Sequence, residues 1–587
     1  MRSTHLATLA ALVLIPCALW AQGPTPRDVV AAGAVGDGKT DCTAIFQRLL
    51  DEAGKAGGGV VYVPAGRFRL DGTLTVPANV TLQGIFRWAP TTPSVESASG
   101  SVLCAYAGRN APKDPPFIAL AGDNAALAGL IVVYPEWRKT EVPPVPYPPC
   151  VGSQDTQNVS VQDCLLLNPY DGIRLVRAHR HLVRNLTGYP SHVGIYVDEC
   201  YDIGHVENVH LWPFGTTYEA NDPYSKWVNT EGTAFEFART DWEYVQNTFC
   251  FGYGVGYKFS QSAHGAANGN FLGLGADSCE RAVLVEQAQP PGLLITNGEF
   301  VGRWGSENAV CMEIAPQAEG VVSLQNCSFW GPIDRCVWMR SPHSQFTASG
   351  CHFINWDNRG VGSAALQLDA GRSCVQGCSF HEDRTHVQVG PTVTSVILTA
   401  NQAEGGFRVD NQAGARMIAS ANETDPIEWT PQARSHYRLT VGAEGDARYL
   451  SGFSGRERQD GHPYRWTSGT AFLILPVPQG KACTVTVDCD ARAAAIAADS
   501  GLYLGDQRLG TLTFGKPLVA ELPAADGEQV RLQLRCQGWV PQKLDAGSQD
   551  PRTLGVLVRT ITVKTADAGE RVFSASTGLW LDATPAQ

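Results

Sequence analysis

Residues 292–380 carry the pattern that decides the fold, in the segments GLLITNGEF (292–300), GVVSLQNCSF (320–329), SQFTASGCHF (344–353) and RSCVQGCSF (372–380). Each segment is a short run that ends at a phenylalanine, and in three of them a cysteine stands two positions earlier. Towards the N-terminus the same spacing of 22 to 29 residues continues. The members of this ladder are Phe249, Phe271, Phe300, Phe329, Phe353 and Phe380.

A second apolar ladder runs out of phase with the first, in strand-like segments such as GIRL, GIYV, AFEF and GYKF. Its members are Ile173, Ile195, Phe235, Tyr257, Val283, Val310, Val337, Leu366 and Val387. Self-similarity at this period, with no helical stripe between the strands, predicts a stacked β-solenoid. Because alternate residues of a strand face opposite sides, we expect Phe271, Phe300 and Phe329 to stack in one inner column. The long outer face of such a rod suits a polymer.

The composition is that of a globular protein with a core, at 44% hydrophobic and 17% charged residues in a chain of 587. A net charge of −12 and the absence of a long basic run argue against a nucleic-acid partner. After the first residues, no apolar run is long enough to span a bilayer. The oligomeric state is left open by the sequence.

Residues 1–21 have the pattern of a secretory signal, with Arg2, an apolar stretch from Leu6 to Leu19 and a small residue at Ala21. We therefore expect a secreted or periplasmic protein. Cys17 lies in a segment that superficially resembles a lipoprotein cleavage box, but Pro16 fits that box poorly, and lipid anchoring is only a minor alternative.

Removal of this signal leaves 16 of the 17 cysteines. Export permits disulfides, but Cys327, Cys351 and Cys378 stand at inward positions, where cysteine is a small apolar filler. We expect stacked free thiols there. The better disulfide candidates are Cys374 with Cys378 and Cys483 with Cys489. No cluster has zinc spacing.

The stretch DVVAAGAVGDGKTDCTAIFQRLLDEAGKAGGGVVYVPAGRFRL, residues 28–70, predicts a helix over Cys42–Ala53 that covers the open end of the solenoid. With its GDGxTD and GGGxVxxPxG elements, this stretch resembles the opening of the pectate-lyase-like right-handed parallel β-helix superfamily, in its polygalacturonase-related and tailspike-type branch. The resemblance covers roughly residues 27–410. It implies the fold, and it implies carbohydrate polymers as the ligand class, since the superfamily holds hydrolases, lyases, epimerases and adhesins.

The domain organisation predicted from these patterns is all-β. A signal peptide (1–21) is followed by a capped parallel β-helix (27–410), a linker (411–434) and an accessory β-sandwich (435–587), in which the rung period is lost. Within the solenoid the spacing stretches to 40 residues between Ile195 and Phe235, which indicates an insertion of about 18 residues. Long insertions at solenoid turns tend to build a binding face.

One solenoid turn collects the residues that could do chemistry, because residues at one turn of successive rungs converge on one surface, about 4.8 Å apart. This turn joins each strand of the phenylalanine ladder to the next GIxL-type strand. LLLNPYDGIRL resembles the NxDGI segment of polygalacturonase-type β-helices, which implies an acid/base role for Asp171. FLGLGADSCERAVLV loosely resembles their paired-aspartate segment and points to Asp277. The chain departs from that family in having no Asp-Asp pair and no Gly-His-Gly, so the full mechanism does not carry over.

Other residues complete the candidate catalytic set. His192 is a candidate for proton transfer, and Glu236 is either an acid at the groove wall or one half of a surface ion pair with Lys258. For lyase chemistry, His192 or Tyr253 would be the base, and Arg174, Lys258 or Arg303 the cation. The predicted substrate-binding residues are Tyr170, Arg174, Tyr196, Trp212, Trp227, Tyr253, Lys258, Arg303 and Trp304.

We expect no cofactor. The acidic residues of the opposite turn, Asp198, Glu199 and Asp202, with Asp241 on the next rung, form either a solvated turn or a calcium site.

The sequence favours a polysaccharide-active glycoside hydrolase that uses carboxylate acid/base chemistry. A uronan lyase working by β-elimination is the alternative enzyme, and a non-catalytic glycan-binding or adhesion protein is the alternative of another class. The sugar and its linkage are left open.

Overall fold

A computed structural model describes residues 26–87, 94–423, 431–443, 445–545, 547–567, 571–574 and 579–582 of the chain. The expected signal peptide lies outside these residues and stays a prediction. Among the helices of the described segments, none is long and apolar enough to cross a membrane.

Residues 27–420 form a parallel β-helix whose rungs each contribute strands to three sheets. The first sheet holds Arg27–Asp28, Gly59–Tyr62, Val80–Gln83, Ala126–Ala128, Leu293–Thr296, Val321–Gln325, Gln345–Ser349 and Met417–Ser420. The second holds Asp37–Asp41, Gly66–Leu70, Ser101–Ala105, Ile131–Val133, Glu299–Gly302, Ser328–Trp330, His352–Phe353, Ser379–Phe380 and Gln402–Ala403. The third holds Leu74–Val76, Ile118–Leu120, Val151–Gln157, Asp171–His179, Val193–Asp198, Thr233–Phe237, Val255–Phe259, Arg281–Val285, Val310–Ile314, Arg335–Met339 and Val409–Asn411.

Seven long strands bend at a corner and serve two sheets. Five run from the first sheet into the second: Ser160–Leu167, Leu182–Gly188, His205–Leu211, Thr240–Phe251 and Ala267–Cys279. Two run from the third sheet into the first: Leu366–Gln376 and Val387–Thr399.

The third sheet confirms the second apolar ladder with one shift. Strand register aligns Ile173, Ile195, Phe235, Tyr257 and Val283 in one inward column. The next member is Met312 and not Val310, because Val283 pairs with Met312 and Val310 pairs with Arg281. The column then continues through Val337, Leu366 and Val387 as predicted.

The phenylalanine ladder is confirmed only in its C-terminal part. Phe300, Phe329, Phe353 and Phe380 stack with ring centroids 4.8 to 5.2 Å apart. The expectation for Phe271 was wrong, since it pairs with Ile295 in the first sheet while Phe300 pairs with Ala276 in the second. Phe249 was also misplaced, because it aligns with His210 on the outer face. In these rungs one long strand crosses the corner between two sheets. Phenylalanines with the same spacing in sequence can therefore lie on different sheets.

Asparagines occupy the corner between the first and second sheets. Asn185 and Asn208 adopt left-handed backbone conformations, with φ of 53° and 54°. Their side-chain amides form a ladder, since Asn208 Nδ2 donates to Asn185 Oδ1 at 2.8 Å and Asn185 Nδ2 donates to Asp163 Oδ1 at 2.9 Å. Asparagine tolerates this backbone region better than most residues, so these positions let one strand turn without a loop.

The predicted cap is present as the helix Thr43–Lys55. Its buried face consists of Phe46, Leu49, Leu50 and Ala53, which join the core of the solenoid. The helix therefore covers the apolar end of the first rungs, as expected.

All 16 cysteines within the described residues are free thiols. The expectation of stacked thiols at Cys327, Cys351 and Cys378 is confirmed, because all three are buried and unbridged. The two disulfide candidates were wrong. Cys483 and Cys489 lie on one strand, Cys483–Asp490, and six residues of strand separate them by about 20 Å.

The C-terminal unit is an antiparallel β-sandwich that begins near the predicted boundary. Its strands are His436–Thr440, Leu450–Phe453, Glu457–Gln459, His462–Pro476, Cys483–Asp490, Gly501–Leu504, Gln507–Thr511, Leu518–Leu522, Gln529–Arg535, Leu557–Thr565, Arg571–Ser574 and Leu579–Asp582. Short helices at Pro431–Ser435 and Pro541–Leu544 flank them, and 3-10 turns lie at Asp446–Tyr449 and Ala493–Ala495. A further 3-10 turn, Gly414–Arg416, precedes the last strand of the solenoid. The sandwich has a separate apolar core.

Buried ion pairs join the sandwich to the solenoid. Arg465 is fully buried and donates to Asp446 of the sandwich at 2.8 Å and to Asp383 of the solenoid at 2.5 Å. Asp383 also pairs with Arg408. A second contact joins Arg531 to Asp410 at 2.8 Å. The two units are therefore in contact through specific charges.

Candidate active site

A histidine–aspartate pair lies at the turn that the sequence selected. Asp171 begins a third-sheet strand, and His192 immediately precedes Val193, which aligns with Asp171 on the next rung. His192 Nδ1 is 2.7 Å from Asp171 Oδ1, and the same oxygen accepts the Val193 N–H at 3.1 Å. With Nδ1 bound to the carboxylate, Nε2 is the nitrogen left to exchange a proton. The pair is partly exposed, at 39% and 24% of the side-chain surfaces.

An aromatic wall stands beside this pair. The Tyr170 ring stacks on His192 with centroids 4.7 Å apart, and the Trp227 ring lies 6.2 Å from Tyr170 and 6.4 Å from His192. Burial raises the pKa of Tyr170, and the charges of Asp171 and Glu231 raise it further. The wall therefore places two flat rings next to the imidazole, and one of them is the protonated phenol of Tyr170.

The insertion supplies Trp227 from the helix Pro223–Glu231, which the sequence did not predict as a helix. Asp222 caps it by accepting the Ser225 N–H at 3.0 Å. Tyr224 of the same helix is buried against Trp137, with centroids 5.5 Å apart. Tyr224 thus anchors the helix while Trp227 faces the site.

Below the pair, a groove of about 640 Å³ follows the outer face of the third sheet. Asp171 and Arg174 line it, together with Lys113, Pro116 and Gln154 among others. The groove thus joins the histidine–aspartate pair to two cationic side chains.

Arg174 holds its guanidinium 4.3 Å from the centroid of Tyr196, its neighbour on the next rung. Tyr196 donates its hydroxyl to Asp198 at 3.1 Å. Burial and the Asp198 carboxylate raise the pKa of Tyr196. Asp198 was assigned to the opposite turn only, and its contact with a groove residue could not be read from the sequence because it depends on side-chain direction.

Glu236 and Lys258 continue the same outward row on the following rungs. Lys258 Nζ lies 3.5 Å from Glu236 Oε1 and 3.7 Å from Glu286 Oε1. Of the two interpretations of Glu236, the structure therefore supports the surface ion pair with Lys258. Glu236 is therefore engaged with Lys258 and is not available as an unpaired acid at the groove wall.

Asp277 does not join the site. It lies on the second sheet, aligned with Phe251, whereas Asp171 lies on the third. Register places its turn four rungs beyond that of Asp171, which is about 19 Å. Burial raises the pKa of Asp277, and so does the nearby charge of Glu299.

Four predicted binding residues also lie elsewhere. Tyr253 is fully buried and donates to Pro190 O at 2.8 Å, so it cannot touch substrate. Trp212 packs on Phe251, with centroids 4.5 Å apart, against a second apolar cluster.

The other two residues, Arg303 and Trp304, lie on the correct turn but five rungs from Asp171. Arg303 lies 3.8 Å from Glu280 and donates to Asn229 O at 3.4 Å, and so helps to hold the insertion. Trp304 is 61% exposed.

The acidic residues of the opposite turn face arginines. Glu199 lies 2.7 Å from Arg177, and Asp202 lies 2.6 Å from Arg180. Within the described residues, no group of three or more His, Cys, Asp or Glu side chains converges as metal ligands would.

Comparisons with known proteins find similarity in the N-terminal part of the chain. A family model described as "Rhamnogalacturonase A/epimerase, pectate lyase-like" matches residues 26–115. Mannuronan C5-epimerase AlgE3 and alginate lyase 7, both of Azotobacter vinelandii, are 48% identical over 59 residues, which is 9% of this chain and 3% and 7% of theirs. The chain thus spans less than a tenth of either curated relative.

Among solved structures, the A-module of the Azotobacter vinelandii mannuronan C-5 epimerase AlgE6 aligns over 68% of this chain and 100% of its own, with 14% identity and a TM-score of 0.40. The match to the family model ends before Asp171 and His192.

Proposed function

From its pectate-lyase-like parallel β-helix fold, we propose that this protein binds a uronate-containing polysaccharide in the third-sheet groove and removes the C5 proton of one uronate unit. The observation that carries this proposal is the 2.7 Å contact between His192 Nδ1 and Asp171 at the rim of a groove that also holds Arg174. Names of relatives with C5-epimerase and lyase activity agree with this chemistry.

In the proposed reaction, His192 Nε2 takes the C5 proton while Nδ1–H stays bonded to Asp171, which orients the ring and stabilises the imidazolium. The electron pair of the broken C5–H bond moves towards the uronate carboxylate. Arg174, whose guanidinium lies over the Tyr196 ring, would stabilise that charge.

Two outcomes are open to this intermediate. In β-elimination, the electron pair forms a C4=C5 double bond and the C4–O bond breaks, so the leaving oxygen needs a proton. In epimerisation, a proton returns to the opposite face of C5. Tyr196, which lies against Arg174 and carries a hydroxyl proton, is the candidate donor for either step.

Glycoside hydrolysis is the second candidate, and Asp277 is the residue that favours it. Asp277 and Glu299 lie on adjacent rungs of the second sheet, since Glu299 aligns with Gly275, and burial raises the pKa of Asp277. Two neighbouring carboxyls of this kind resemble the acid and partner of glycosidases. This reaction would use the second sheet and not the His192 groove. A non-catalytic glycan-binding protein would carry out neither reaction.

A polymer panel read in three ways tests the proposal. Alginate, polygalacturonate and neutral polysaccharides are incubated with the full chain, and unsaturated products, reducing ends and deuterium uptake at C5 in D2O are measured. We expect unsaturation or deuterium uptake that is lost in His192→Ala.

The matched control is His205→Ala, whose side chain is also 39% exposed but lies on the first sheet. It should keep full activity. Reducing ends without unsaturation would favour Asp277 chemistry, and binding without any product would favour an adhesin.

A further inference from the structure

An exposed tryptophan lies on the turn opposite the candidate site. Trp242 has φ of 55° and is 61% exposed. The left-handed backbone is regular at this corner, because Asn79, Asn124, Asn158 and Arg180 occupy the equivalent position on earlier rungs with φ between 53° and 61°. Trp242 differs from them in its large apolar ring, and burial of that ring against a ligand would be favourable.

A polar network holds this turn in place. The backbone N–H of Trp242 donates to Asn268 Oδ1 at 3.0 Å, and Asn268 Nδ2 donates to Asp241 Oδ1 at 3.0 Å. Gln289 Nε2 donates to the same Asp241 oxygen and to Thr240 O, both at 2.9 Å. Asn268 is buried. These bonds hold the backbone of the turn that carries Trp242.

A second exposed ring lies on the preceding rung of the same turn. Tyr201 is 44% exposed. It follows Cys200, whose backbone forms an isolated parallel β-bridge with Thr240 on the next rung. The Arg239 guanidinium lies 5.1 Å from the Tyr201 centroid, and the Tyr201 N–H donates to His179 Nδ1 at 3.1 Å. Both rings are thus displayed on neighbouring rungs, with an arginine and a histidine beside the tyrosine.

We propose that Trp242 and Tyr201 form a sugar-binding platform for the polysaccharide, separate from the groove at His192. Flat rings provide apolar contact for the C–H face of a sugar, while polar groups at their edges can bind hydroxyls. The inference rests on the proposed function for the identity of the polymer.

The spacing of the two sites favours a long chain as the occupant. His192 and Tyr201 flank the same third-sheet strand, Val193–Asp198, whose six residues span about 20 Å. A polymer can reach both places at once, whereas a short oligosaccharide that fills the groove beside His192 cannot. The platform would therefore raise affinity for polymer without altering turnover of short substrates.

Affinity electrophoresis in gels that contain alginate, polygalacturonate or a neutral glucan tests the platform. The full-length double variant Trp242→Ala/Tyr201→Ala should bind polymer about tenfold more weakly, the scale expected for two lost ring contacts. Trp242→Phe/Tyr201→Phe should retain binding. Phe514→Ala is the control, because Phe514 is an exposed aromatic residue of the sandwich, at 65%.

The outcomes separate this inference from the proposed function. Unchanged polymer binding in the double alanine variant, with or without catalysis, would overturn the platform. Ring-dependent binding without any C5 chemistry would support the platform and remove only the proposed reaction. If the rings instead join two copies of the chain, the alanine variant would lose a dimer in sedimentation experiments and keep its polymer affinity, which also overturns the proposal.

Discussion

Replacement of Glu243 by glutamine tests the buried charge that joins two rungs of the solenoid. Glu243 Oε1 lies 3.0 Å from His181 Nε2, and the two side chains are 0% and 1% exposed. His181 Nδ1 is 2.9 Å from Ala178 O. Burial lowers the pKa of His181, but the Glu243 carboxylate outweighs it, and the net pKa is raised well above the ordinary value. The raised pKa favours the protonated imidazolium of His181 in the folded protein.

The expected loss is about 3 kcal/mol in the free energy of unfolding. Breaking one partner of a buried ion pair typically costs about 3–5 kcal/mol, and glutamine keeps the shape and one hydrogen bond, which favours the lower end. As a control, Glu236→Gln removes a partly exposed pair with Lys258 at 3.5 Å and should cost about 1 kcal/mol or less.

The pH dependence gives a second readout. Since the folded pKa of His181 is raised, its contribution to stability is complete below the unfolded pKa, near 6.5, and is lost as the pH rises through the folded pKa. Urea unfolding of the full chain, followed by circular dichroism from pH 5 upwards, should show this slope in the wild type and not in Glu243→Gln. A loss below about 1 kcal/mol, or the same slope in both proteins, would refute a charged pair.

Three further predictions follow from the site and the domain contact. Asp171→Asn should lower turnover at least ~100-fold, the scale of general acid–base catalysis, with little change in thermal stability, whereas Asp202→Asn on the opposite turn should retain most activity. Arg465→Met should destabilise the protein by about 3 kcal/mol because it removes the arginine from buried Asp446 and one of the arginines from Asp383; an unchanged unfolding midpoint would contradict this. Residues 431–587 expressed alone should fold, since their apolar core contains no residue of the solenoid, and an unfolded circular dichroism spectrum would show otherwise.

The repeat, the cap and the division into two units could all be predicted from the amino-acid sequence. Period and alternation sufficed for the column from Ile173 to Val283, because every rung there places one residue of each strand inward. The same regularity brought Asp171 and His192 to one turn. The solenoid nevertheless runs ten residues past its predicted end, to Met417–Ser420, where weak periodicity hides a last strand.

Which side chains of that turn share a site became clear from the three-dimensional fold alone. The spacing of residues in the sequence predicts the rung on which a residue lies but not the sheet. The sequence therefore grouped Asp277 with Asp171, whereas strand register places Asp277 on another sheet and four rungs away. Likewise, burial of Tyr253 and display of Trp242 depend on the insertion and on the side-chain network around Asp241. Local pattern encodes which residues face inward or outward, whereas proximity between outward residues depends on how strands bend at corners and how loops fold over them.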